Sequence, residues 1–233
     1  MGGSMSVVDI LSSVYSKKTD SCEVILSKGH CILAWLSVLK NIGEISHEQL
    51  DSYYAASSQF GGHPKKGSTA SVTWSTGSLG HGLSVACGKA MARPDKKFIC
   101  ILGDGETNEG SIWEAFLFMR QHRLCNLLAI IDNNRQESLD KTDNILGIDA
   151  PVAALASSDI RIARIDGHDH MAILKELDIF FNITENSDSF PTVILAETVK
   201  GKGISFMEHD TKWHHRKIAD SEYDQALTEL GAS

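Results

Sequence analysis

Three stretches, 98–102 (FICIL), 127–131 (LLAII) and 192–196 (TVILA), are apolar through their length, without the polar alternation of a strand that faces water. A strand covered on both faces reads this way, so these segments predict a parallel sheet between two layers of helices. Helical patterns at 110–122 and near 170–182, and a short strand near 161–165, complete βαβ units around them. Upstream lie helical patterns at 6–15, 31–40, 46–55 and 78–92, an apolar run at 24–27, and a Gly/Ser/Thr-rich stretch at 57–77. The expectation is one α/β domain over 1–233 with helices on both faces of the sheet. Ligands of such sheets sit beyond the carboxyl ends of the strands. There the chain places GDG (103–105) and DNN (132–134).

A glycine loop running from a strand into a helix suits an anion, because backbone N–H groups and the helix dipole point at the ligand. Yet Asp104 stands between the two glycines, with Glu106 and Glu109 close behind. One βαβ unit later the same sheet edge receives Asp132, Asn133 and Asn134. Carboxylate, amide oxygen and backbone carbonyl form an all-oxygen donor set that suits Mg²⁺ or Ca²⁺ rather than zinc. Asp104 then holds a divalent ion, and the ion bridges to a diphosphate the carboxylate alone would repel. An isolated GDG is more often a turn. GDG, NEG and then DNN one unit later reverse that balance. A dinucleotide site is disfavoured, since GDGETNEG is not G-x-G-x-x-G and no Walker lysine follows.

Composition removes other classes. A net charge of −8, with basic clusters only at 63–67, 199–203 and 214–217, argues against nucleic acid as partner. No apolar run approaches the ~18–20 residues that span a bilayer, and the start lacks a signal-peptide pattern. Five scattered cysteines with no C-x-x-C pair fit a reducing cytoplasm.

GDG followed about thirty residues later by NN resembles the signature of thiamine-diphosphate enzymes, and further segments narrow the resemblance to transketolases. They are LSKGH (26–30), GGHP (61–64), STGSLGHGLSVACGKAMA (75–92), GDGETNEGSIWEA (103–115), IIDNN (130–134), DGHD (166–169) and TVKGKGISFMEHDTKWHH (198–215). They occur in the family's order over nearly the whole chain. The resemblance implies thiamine diphosphate with Mg²⁺ or Ca²⁺, and transfer of a two-carbon ketol unit from a ketose or its phosphate to an aldose. By motif match, Asp104, Asn134 and the backbone carbonyl of Gln136 are the implied metal ligands. Gly105, Gly77, Ser78, Leu79, Asn134 and Lys200 are implied in cofactor binding, with His30 and His214. His30, His63 and His214 match histidines around the reacting centre, where neutral imidazoles near pH 7 suit proton shuttling. Glu109 and Glu114 match acidic residues near the family's dimer interface, Glu109 in a proposed relay. Lys28 matches a positive position near substrate or diphosphate in some members, and His81 stays open between packing and function. His215 is the second candidate in KWHH; His47, His122, His168, His170 and His209 read as surface or structural.

Against the family pattern, the chain starts inside the motif GHPGGS, as MGGSMSVVDIL, so a preceding helix and its histidine are expected to be missing. The resemblance covers the diphosphate-binding domain alone, closing with a helix at 218–230. A pyrimidine-binding domain, with its glutamate and phosphate-reading arginines, is expected on a separately encoded partner, giving an α2β2 split enzyme whose components expose apolar surface when apart. Enzymes with the same signature that take 2-oxo acids, and a non-catalytic cofactor-binding module, are the alternatives.

Overall fold

The computed structural model describes residues 1–156, 159–183, 189–214 and 216–231. The elements are α1 (Gly2–Lys17), β1 (Cys22–Leu26), α2 (Ile32–Asn41), α3 (His47–Asp51), α4 (Gly82–Ala92), β2 (Lys97–Gly103) and α5 (Gly110–Gln121). They continue as β3 (Leu127–Asn133), α6 (Asp149–Ala156), β4 (Arg161–Asp166), α7 (His170–Asn182), β5 (Thr192–Glu197) and α8 (Asp220–Glu229). The five strands pair in the order β1-β2-β3-β5-β4, all parallel.

The unbroken apolar runs are explained by two cores. Val24, Leu26, Ile99, Ile101, Leu128, Ile130 and Ile194 point to the side covered by α1, α2 and α7. Ile25, Phe98, Cys100, Leu102, Ala129, Ile131 and Leu195 point to the side covered by α4, α5 and α6. Crossovers that step from β1 to β3 keep α4 and α5 on one face. The step back from β4 to β5 puts α7 on the other, as right-handed crossovers require.

Several expected boundaries move, each for a local reason. The helix expected from 78 begins at Gly82, because Gly80 has φ +84°, a conformation no helix accommodates. The pattern at 46–55 forms only the five-residue α3, closed by Tyr54 at φ 66°. Helix α1 runs further than 6–15 and starts on a glycine pair. A Cβ on Gly2 would come within 2.9 Å of Lys200 and one on Gly3 within 3.1 Å of Cys31, so the glycines let the helix end approach the sheet edge. Helix α6 falls where the sequence pattern predicts no helix; Pro151 sits in its first turn, where the missing N–H costs nothing.

Candidate functional site

The β2–β3 register pairs Gly103 with Asp132, so GDG and DNN leave the sheet side by side. With the segments after β1 and β5 they line a pocket of about 540 Å³, including the part open to solvent. Lys28, His30, Leu79, Asp104, Gly105, Asn134, Gln136, Lys200 and His214 are all on its wall, with Gly3 from the start of α1.

Asp104 is 4% exposed, and only one of its oxygens is engaged, accepting from the Gly105 N–H at 2.8 Å. Its Oδ2 is buried without a partner, as is Oε1 of Gln136. Burial, with the Asp132 carboxylate second, pushes the Asp104 pKa up to about 6. A buried carboxylate with an orphaned oxygen beside the amide of Asn134 is what a hard cation satisfies. Among the described residues no three His, Cys, Asp or Glu side chains converge on a metal centre. The Gln136 carbonyl accepts from Lys200 Nζ at 2.7 Å, leaving its second lone pair.

Lys200 also lies 3.1 Å from Nδ1 of His214, and burial followed by the charge of Lys28 pulls its pKa down to about 8. The rings of His30 and His214 are 5.2 Å apart. Desolvation, then the charges of Lys28, His214, Lys200 and His63, lower the pKa of His30. His30 is exposed on the pocket wall. The neutral state is present above the ordinary histidine value of about 6.5 and is lost only well below it. The imidazole resonances of His30 are expected to stay at their neutral positions as pH falls from 8 to about 5.5; a midpoint near 6.5 contradicts this.

Below the pocket floor lies a network the motifs did not signal. Asp132, fully buried, accepts from Ser6 Oγ at 2.6 Å, from Lys28 Nζ and from Thr198 Oγ1. One carboxylate thereby ties α1, the segment after β1 and the segment after β5 to the end of β3. It also keeps Lys28 charged: burial opposes the ammonium, and Asp132 more than offsets it. His168 accepts from the Val199 N–H at 2.9 Å and donates from Nδ1 to Asp9 at 2.7 Å, the structural role expected of it.

The structure does not bring every candidate into this pocket. His63 is exposed, against Gly77, and reaches His30 only through its charge. Ser78, Glu109 and Glu114 are exposed, and neither they nor Gly77 line the cavity. His81 is exposed at the start of α4 rather than packed, and His215 lies outside the described residues.

Comparison with known proteins gives the same direction. The family model described as "Transketolase, thiamine diphosphate binding domain" matches residues 15–233. An apulose-4-phosphate transketolase subunit from Phocaeicola vulgatus is 32% identical over 99% of this chain and 85% of that protein. Its namesake from Actinobacillus succinogenes is 35% identical over 98% and 86%. Transketolase from Leishmania mexicana superposes with a TM-score of 0.84 at 18% identity, covering 99% of this chain and 41% of that one. This chain thus spans about two fifths of that solved transketolase but most of the two bacterial subunits. From the motif order, the sheet-edge pocket and these matches together, the chain belongs to the transketolase family, as its thiamine diphosphate-binding domain.

Proposed function

We propose that this chain is the diphosphate-binding component of a two-component transketolase that moves a two-carbon ketol unit from a ketose donor to an aldose acceptor. The observation that carries the reading is the buried, half-satisfied carboxylate of Asp104 next to Asn134 at the carboxyl edge of β2 and β3. In this reading Asp104, Asn134 and the Gln136 carbonyl hold Mg²⁺, and the metal with Gly105 and Lys200 holds the diphosphate. The bound cofactor supplies the electron sink that ketol transfer needs. The chain's own residues do the rest. Lys28 and Lys200 offset the negative charge of the phosphates. The neutral ring of His30, beside His214, accepts and returns protons on substrate hydroxyls.

The bacterial relatives, named as single subunits of a transketolase, support a partner chain, and so does surface chemistry. Leu79 is 36% exposed at the pocket and Trp74 40% exposed on the 57–77 segment. Leu117 and Phe118 stand out at 57% and 38% on α5. Obligate interfaces bury about 2,000 Å² or more and are built from such residues. We place the partner's pyrimidine-binding domain over the pocket mouth beside Leu79, in an α2β2 assembly. Five buried cysteines outside any disulfide accord with a reducing cytoplasm, and no described helix is long and apolar enough to cross a membrane.

The test is turnover with each component alone and mixed, with a phosphorylated ketose and, separately, pyruvate as donor. Activity is expected only in the mixture and only with the ketose. Turnover by this chain alone contradicts the split architecture, and preference for pyruvate contradicts the donor class.

A further inference from the structure

Glu106 is 2% exposed and, among the described residues, forms no salt bridge. Leaving an acid there is costly unless its oxygens are well occupied. They are. Oε1 accepts from Ser27 Oγ, at the end of β1, and from the Gly80 N–H at 3.0 Å. Oε2 accepts from the Gly103 N–H, at the end of β2, at 3.2 Å. On the opposite side of Gly80, its carbonyl accepts from Ser111 Oγ of α5 at 2.8 Å. Both polar groups of Gly80 are therefore captured, one by each residue. The position also demands glycine: φ is +84°, and a Cβ there would fall 2.5 Å from Ser111 Oγ. The residue immediately before it is Leu79, on the pocket wall.

We propose that Glu106 and Ser111 are positioning residues that clasp Gly80 and so fix the 77–80 loop as one wall of the cofactor pocket. Glu106 borders the pocket, but both of its carboxylate oxygens are spent on Ser27, Gly80 and Gly103, and Ser111 lies off the pocket wall. Glu106 acts by joining three segments: the ends of β1 and β2, and the loop before α4. The inference rests on the Asp104 pocket being the cofactor site, and its test separates the two.

The experiment measures thiamine diphosphate affinity by calorimetry in excess Mg²⁺, and amide hydrogen exchange at 77–82, for wild type, Glu106→Ala, Glu106→Gln and Ser111→Ala. The Gln side chain keeps an oxygen for Ser27 and Gly80 but sets its NH2 against the Gly103 N–H, so it should lose about threefold, whereas the Ala variant, which gives up all three bonds, should lose about tenfold. In Glu106→Ala the Gly80 amide should lose protection while amides of β2 and β3 keep theirs. Unchanged affinity and exchange in Glu106→Ala, or equal losses in Ala and Gln, overturn the proposal. So does a loss of protection spread evenly over the sheet. Should Glu106→Ala fail to fold, Ser111→Ala decides: a rise of about threefold in Kd supports the clasp, and no change overturns it. If wild type binds no thiamine diphosphate, the cofactor reading of the pocket fails, and the exchange data alone decide the clasp.

Discussion

Asp104→Ala is expected to abolish metal-assisted binding of thiamine diphosphate, raising Kd at least about 100-fold, a loss near 2.7 kcal/mol. The size follows from what the variant removes. Asp104 is the one carboxylate in the proposed donor set, and amide and carbonyl oxygens alone seldom hold a divalent ion against water. The ion in turn offsets the diphosphate charge in a pocket whose floor rests on the buried Asp132 carboxylate. Excess chelator should match the mutation in wild type and add nothing in the variant. The fold should survive, because Oδ2 of Asp104 has no protein partner to lose and its charge is disfavoured by burial. Calorimetry with and without Mg²⁺, alongside thermal melts, separates lost binding from lost structure. An Asp104→Ala chain that binds the cofactor with near wild-type affinity in a metal-dependent way contradicts the assignment.

Asp132→Ala should instead strike the fold. Asp132 and Lys28 are 0% and 1% exposed, and removing either member of a buried pair strands the other. The expected cost is about 3–5 kcal/mol, a fall in melting temperature on the order of 10 °C for a chain of this size. Ser6 and Thr198 lose their acceptor as well, so α1 and the 198–200 segment should exchange amide protons faster. The double variant Lys28→Met/Asp132→Leu should recover much of the stability, since well-packed apolar groups often replace a buried pair at little cost, but not the pocket's positive charge. Equal stability of Asp132→Ala and wild type by thermal and denaturant unfolding contradicts this account of the floor.

What was legible in the sequence follows a physical line. The buried parallel strands announced themselves because a strand covered on both faces has no polar side to disguise it. Asp104 and Asn134 could be placed at one sheet edge because each follows a strand, whereas His30 and His214 entered through the family's motifs and are brought to the same pocket by the fold. Asp132 and Glu106 were not legible as hubs. Their partners lie far off in sequence, Ser6 and Thr198 for one, Ser27 and Gly80 for the other, and a lone acidic residue after a strand reads equally well as a turn. Helix α6 escaped because the segment around Pro151 is short and weakly patterned. His63, Ser78 and Glu109 entered through motif matching, and this chain holds them at its surface rather than on the Asp104 pocket.

The central claim is that side chains from two adjacent crossovers grip a divalent ion that anchors a diphosphate. The most direct measurement is anomalous diffraction from crystals of this chain, with its partner, grown with thiamine diphosphate and Mn²⁺ in place of Mg²⁺. The account predicts a single strong peak within bonding reach of Asp104 Oδ2, the Asn134 amide oxygen and the Gln136 carbonyl, with the diphosphate on its open side. A diphosphate bound with no metal between it and Asp104, or a metal peak elsewhere in the chain, would contradict it.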